Sequence, residues 1–255
     1  CAPARLRVPG RRLRRAPFSI PAQAAGLDAD NLPVRPEPRP QEPMHRAPYS
    51  TRPGTSRPGA PLPGTEPRAR ALFVDRWGTL LTPLAPQGEV AFDASWLVPG
   101  SVDALFRAQQ SDWRIYLIGN EEAVAQGRMS DAAWERFEAD LLGHLRGRGV
   151  SVVRNYACLD HPEGRGKHRR PSVFLLPDTG LLYHAAQADG VTLRESWVIG
   201  DSSLELAAGG RAGCRTLGVE TGQACSDGAF EIDPDLAARD LAEAVQFLAV
   251  AVTRV

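Results

Sequence analysis

From residue 70 onward, short apolar runs alternate with amphipathic stretches, and this alternation restricts the fold more than any other feature of the 255 residues. Short apolar runs have the length of buried strands, and the amphipathic stretches between them supply crossover helices. The pattern predicts an α/β fold of three layers, a Rossmann-like parallel sheet with helices on both faces. Strands are expected at 71–74, 113–118 ("WRIYLI"), 150–153 ("VSVV"), 196–199 ("SWVI") and 215–219 ("RTLGV").

Two helices carry their own punctuation. Ser130 is an N-cap for a helix from Asp131 to about Arg148, which ends in the Gly-containing "RGRGV". Trp134, Phe137, Leu141, Leu142 and Leu145 recur at helical spacing and are expected in the core. A last helix is expected from about Pro234 to Val250, with Leu236, Leu241, Ala244 and Leu248 facing inward.

The first 70 residues lack this pattern. They repeat Pro, Arg, Gly and Ser ("RPEPRPQEP", "STRPGTSRPGAPLPGTEP"), a composition that offers no face to bury. Residues 1–69 are therefore expected to be a disordered segment and 70–255 the folded domain. The formal net charge is zero, so no nucleic-acid partner is expected, although "RLRVPGRRLRR" is a local basic cluster and the tail is a candidate element for a protein partner. The chain opens on Cys1, and Met44 is an alternative start that keeps every motif used below. No apolar stretch is long enough for a signal-peptide core or a membrane span, so no membrane contact and a cytoplasmic location are expected. The spacing of Cys158, Cys214 and Cys225 does not suggest a disulfide framework.

In an open parallel sheet the ligand site lies beyond the carboxyl ends of the strands, and Asp75, Asn120 and Asp201 each stand at such an end. A carboxylate placed there is costly to bury unless a cation or donors meet it. Glu205, four residues after Asp201, falls on the same face if a helix begins there. Two strand-tip carboxylates and a third acid suit magnesium, which takes a few carboxylate oxygens and keeps waters to share with a phosphate.

These motifs resemble the haloacid dehalogenase (HAD) superfamily. Within it, residues 71–222 are most similar to the capless D,D-heptose bisphosphate and histidinol phosphatases. The resemblance rests on "FVDRWGTLL", "VPGSVDALFRAQQSDWRIYLIGN", "RRP" followed by "LPDTGLL", and "VIGDSSLELAAGGRAGCRTLGVETG". It implies that Asp75 is the nucleophile that attacks phosphorus. Asp75, the backbone carbonyl of Trp77, Asp201 and Glu205 would hold Mg2+, and Asn120, Arg169 and Arg170 would bind phosphate. It implies a small phosphorylated substrate, such as a sugar phosphate, and an aspartyl-phosphate intermediate.

The chain departs from the family at several of these positions. Trp77 occupies the place of the general acid, and Gly119 replaces a phosphate-holding Thr or Ser. "RRP" replaces Arg-Lys-Pro. The family's zinc loop, a Cys-x-His pair followed by Cys-x-Cys, is reduced to Cys158, His161 and His168, with Asp160 where the His would stand. Four tetrahedral ligands are not visible, so zinc is not expected. Loss of a general acid removes a factor of about 10²–10⁴. The sequence therefore predicts a phosphomonoesterase of attenuated activity, ahead of a pseudophosphatase that binds a ligand or protein. A dehalogenase-like hydrolase ranks third, because the short interval between the first two motifs leaves no room for a cap.

Overall fold

The computed structural model describes residues 69–82 and 90–252, all within the unit spanning residues 58–255. The expected segment 1–69 lies outside the described residues except for Ala69, which bridges to Val191. Among the described residues, no helix is long and apolar enough to cross a membrane.

Six strands form one sheet: β1 (Arg70–Asp75), β2 (Trp113–Asn120), β3 (Val152–Cys158), β4 (Trp197–Gly200), β5 (Arg215–Val219) and β6 (Leu236–Ala238). Their order is β3-β2-β1-β4-β5-β6, and every adjacent pair is parallel. The helices are α1 (Ser101–Gln110), α2 (Glu122–Ala125), α3 (Asp131–Gly147), α4 (Gly180–Asp189), α5 (Ser203–Ala212) and α6 (Leu241–Val252).

Side chains alternate across a strand, and β1 uses both faces. Leu72 and Val74 enter a core with residues of α1, α3 and α6, whereas Ala71 and Phe73 enter one with residues of α4 and α5. The α3 positions Trp134, Phe137, Leu141 and Leu145 are buried as the spacing predicts, Leu142 is only partly buried against them, and the Ser130 hydroxyl accepts the Ala133 N–H at 3.2 Å.

Two elements differ from expectation. The third strand begins at Val152 and runs on through Arg154, Asn155 and Tyr156. As an edge strand it leaves part of its surface open, so polar residues are tolerated there and periodicity fades. The expected helix from Pro234 is split: Leu236–Ala238 pairs with β5, and α6 begins only at Leu241. Asp240 accounts for the break, because its carboxylate accepts the Glu243 N–H at 2.8 Å in the manner of an N-cap. Leu236 is consequently half-exposed, while Leu241, Ala244 and Leu248 are buried.

The chain order reverses between β1 and β4, and this fixes the crevice. Parallel strands that diverge from such a switch point leave a cleft beyond their carboxyl ends.

Candidate active site

Asp75 is the last residue of β1, and Asp201 is the first residue beyond β4, its neighbour in the sheet. The turn after β1 passes directly over Asp201. Gly78 makes this passage with φ +89°, and a Cβ there would lie 2.1 Å from Asp201 Oδ2, so no other residue fits. The Asp201 carboxylate accepts the Gln223 backbone N–H at 2.7 Å and the Thr79 hydroxyl at 3.5 Å.

Asp75 is 4% exposed, and its Oδ2 is buried without a hydrogen-bond partner. Burial, followed by repulsion from Glu205 and Asp201, pushes its pKa well above the usual carboxylate range, against the opposing Arg76 charge. Burial also raises Asp201, although the Gln223 N–H opposes it. Glu205 is pushed up to about 7, again mainly by burial. It lies at the third position of α5 and its carboxylate accepts the hydroxyl of Ser202, the N-cap residue. The contact ties Glu205 to the N-terminus of α5, whose Leu204 N–H the Ser202 hydroxyl accepts, so Glu205 serves the helix as well as the crevice.

Trp77 does not stand free above Asp75. Its indole N–H donates to Glu121 Oε2 at 3.2 Å, and its ring stacks on Phe137 with centroids 5.5 Å apart. Glu121, just past the end of β2, also accepts Arg76 Nε at 2.8 Å through Oε1. Arg76 is fully buried and donates further to the Asn155 side chain and to the carbonyls of Tyr156 and Gly119. Burial raises the Glu121 pKa, with Arg76 as the chief opposing influence.

Sequence reasoning missed this Arg76–Glu121 pair. Each residue is one step past a strand end: β1 stops at Asp75, in register with Ile118, while β2 runs two residues further to Asn120, so the Arg76 side chain spans the short offset to Glu121.

Gly119 is more than a missing hydroxyl. It has φ +152°, and a Cβ would lie 3.0 Å from Arg76 Nη2 and 3.2 Å from Asp75 Oδ1. The backbone here accommodates the buried arginine in place of a side chain. Asn120 lines the crevice, but its amide clamps the Leu176 backbone, accepting the N–H at 2.9 Å and donating to the carbonyl at 3.1 Å.

Arg169 and Arg170 are exposed and do not line the crevice around Asp75. Arg170 instead donates to Asp160 at 2.8 Å. Of the residues matched to a zinc loop, His168 bridges Asp160 and Asp131 at 3.1 Å each. Cys158 donates to the Asp160 carbonyl and His161 accepts the Glu163 N–H. Asp160, which stands where a zinc ligand would be, is thus the hub of an ionic brace.

The crevice has a volume of about 200 Å³ and is lined by Asp75, Trp77, Asn120, Asp201, Glu205 and their neighbours. Among the described residues, no three His, Cys, Asp or Glu side chains are gathered as a ready-made metal cluster. The orphaned Asp75 oxygen beside Asp201 nevertheless fits a hard cation. Magnesium retains waters and needs only one or two carboxylates together with backbone and substrate oxygens.

A family model described as HAD-hydrolase-like matches residues 176–244, which contain Asp201 and α5. Over these residues the chain is similar to the HAD-like hydrolases. It is 27% identical over 155 residues to the D-glycero-beta-D-manno-heptose-1,7-bisphosphate 7-phosphatase of Pasteurella multocida, covering 60% of this chain and 83% of the relative. The enzyme of the same description from Mesorhizobium japonicum is 28% identical over 169 residues, covering 66% and 77%. Among solved structures, the D,D-heptose 1,7-bisphosphate phosphatase of B. bronchiseptica, complexed with magnesium and phosphate, has a TM-score of 0.61 at 24% identity. The match covers 71% of this chain and 99% of that one, and it shows the shared fold.

Proposed function

We propose that the protein is a magnesium-dependent phosphomonoesterase for a small phosphorylated metabolite, of the sugar-phosphate kind that its relatives' descriptions specify. The observation that carries this reading is the buried Asp75 carboxylate with one unpartnered oxygen, facing the same crevice as Asp201. Folding leaves this group costly, and a cation with a phosphate would relieve the cost.

In this reading an Asp75 oxygen attacks phosphorus and the ester P–O bond breaks. The leaving alkoxide takes its proton from water, since the indole at position 77 is committed to Glu121 and is no acid at neutral pH. Water then hydrolyses the aspartyl phosphate, returning the Asp75 carboxylate and inorganic phosphate. Asp75, Asp201 and the Trp77 carbonyl would hold magnesium, with Glu205 behind them, and the ion would supply charge neutralisation at the phosphoryl oxygens.

Without a positioned acid, turnover should depend steeply on the leaving group. A panel of phosphate monoesters graded by leaving-group pKa tests this: aryl and acyl phosphates should turn over with magnesium and simple alkyl phosphates much more slowly. Equal rates across the panel would mean that another group donates the proton.

A pseudophosphatase is the second reading. It is favoured by the engaged Asn120 amide and by Gly119, which offer no free side-chain donor to a phosphate. Absence of magnesium-dependent turnover across the whole panel, with ligand binding retained, would establish it.

A further inference from the structure

Five carboxylates line the crevice: Asp75, Glu121, Glu122, Asp201 and Glu205. Arg76, the nearest buried cation, gives its guanidinium to Glu121, Asn155 and two carbonyls, and it does not line the crevice. A substrate phosphate would bring further negative charge into this space. Magnesium offsets part of it, and the protein needs a cation that reaches the crevice and is not already neutralised.

Among the residues lining the crevice, Arg128 is the single basic one. Its side chain is exposed, and among the described residues it takes part in no hydrogen bond or ion pair. Its backbone, in contrast, is fixed. The turn after α2 closes through Gly127 N–H to Val124 O at 2.9 Å, Arg128 N–H to Ala123 O at 2.8 Å and Met129 N–H to Ala123 O at 3.0 Å. Met129 is buried directly beside it. A free guanidinium on a fixed backbone at the mouth of a carboxylate crevice has the form of an anion clamp, because its planar fork pairs bidentately with phosphate oxygens.

We infer that Arg128, rather than Arg169 or Arg170, is the residue that binds the substrate's phosphate group. The inference rests on the phosphatase reading above and names the residue that completes its site. It also bears on substrate class. The crevice is below the roughly 300–1,000 Å³ usual for sites that enclose a drug-sized ligand. It therefore takes the phosphate and leaves the rest of the metabolite outside, near the exposed Glu122. Neutral, hydroxyl-rich leaving groups suit that rim better than a second anion does.

The test is calorimetric titration of inorganic phosphate into the full-length protein with magnesium, for the parent, Arg128→Ala, Arg128→Lys and the double variant Arg169→Ala/Arg170→Ala. Loss of a charge-assisted hydrogen bond predicts that Arg128→Ala weakens phosphate binding about 10- to 100-fold. Lys should recover part of the loss, and the double variant should bind within about twofold of the parent. Because the Arg128 side chain has no partner among the described residues, its truncation should leave the melting temperature unchanged. Normal phosphate affinity in Arg128→Ala, or loss confined to the double variant, overturns the inference and leaves the phosphatase reading standing. Failure of the parent itself to bind phosphate or turn over a monoester overturns both.

Discussion

The crevice at the tips of β1 and β4 and the loop from Cys158 to Arg170 both concentrate carboxylates, and they treat them in opposite ways. In the loop, Asp160 meets His168 and Arg170, and Asp131 at the start of α3 meets His168 and Lys167, so both of these acids have a protein cation. Asp131 and Asp160 are accordingly held below the usual carboxylate range, Asp131 chiefly by its bond from Lys167, Asp160 against the burial that would raise it. In the crevice, Asp75, Asp201 and Glu205 are all raised. Charge neutralised within the fold serves structure, whereas buried carboxylates without a protein cation mark the crevice where the proposed chemistry is placed.

The sharpest way to break this comparison is Asp75→Asn. It should abolish turnover, since an amide oxygen is a poor nucleophile, and yet raise the melting temperature of metal-free protein. Removing a repelled, buried carboxylate is the kind of change that stabilises by about 0.5–2 kcal/mol. Calorimetry with and without magnesium checks it: the parent should gain stability from the ion and the variant should gain little. Lower stability of the variant in metal-free buffer would show that Asp75 has a structural partner.

Next in size is the buried ion pair that separates the two regions. Glu121→Ala would leave Arg76, with no exposed surface, holding an uncompensated charge, and breaking such a pair costs about 3–5 kcal/mol. The equivalent cut in the loop, Arg170→Ala, should cost no more than about 1 kcal/mol, because that guanidinium is largely exposed. Urea denaturation of both variants measures the contrast directly. Comparable losses would remove the distinction between the two regions.

Trp77→Asp follows, and it asks whether the crevice keeps its chemistry once an acid is restored. A carboxyl at position 77 should raise turnover of alkyl phosphates by up to about 10²-fold and that of aryl phosphates by less. The change also removes the stack on Phe137 and the donor to Glu121, so a stability loss of about 2 kcal/mol is expected for this half-buried ring. Rates should therefore be compared well below the melting temperature. No gain on either substrate would indicate that the Gly119 backbone, not the missing acid, limits the site.

The sheet was legible from periodicity wherever a strand is buried on both faces, as β1, β2 and β4 are. It was not legible at the edges, where β3 admits Arg154 and Asn155 and β6 reads as the start of a helix. The strand-tip acids could be placed from sequence because Asp75 and Asp201 each follow an apolar run directly. Arg76, Glu121 and Arg128 could not, for different reasons. Arg76 and Glu121 are isolated charges until the β1–β2 register brings them together. Arg128 acquires its position from a turn whose hydrogen bonds carry no residue signature. The "RRP" segment is arginine-rich, yet Arg170 donates to Asp160 and neither arginine lines the crevice, a placement that the sequence does not reveal.

The smallest expected effect lies in the loop and is a matter of pH. Burial draws the His168 pKa down, but hydrogen bonds to Asp131 and Asp160 outweigh it and leave the imidazole above its ordinary 6.5. A cation favoured by folding contributes its stability fully below the unfolded value and loses it as pH rises through the folded value. The brace should therefore be complete at pH 6 and weaken progressively above pH 6.5, by about 0–1 kcal/mol given its partly exposed partners. Hydrogen exchange across residues 158–170, measured from pH 6 to 9 and corrected for the intrinsic rate, should show falling protection in the parent. His168→Gln, which keeps a donor but no charge, should show protection independent of pH over the same range. A parent loop whose protection does not fall with pH would mean that Arg170 and Lys167 alone hold the two carboxylates, and that the histidine contributes packing rather than charge.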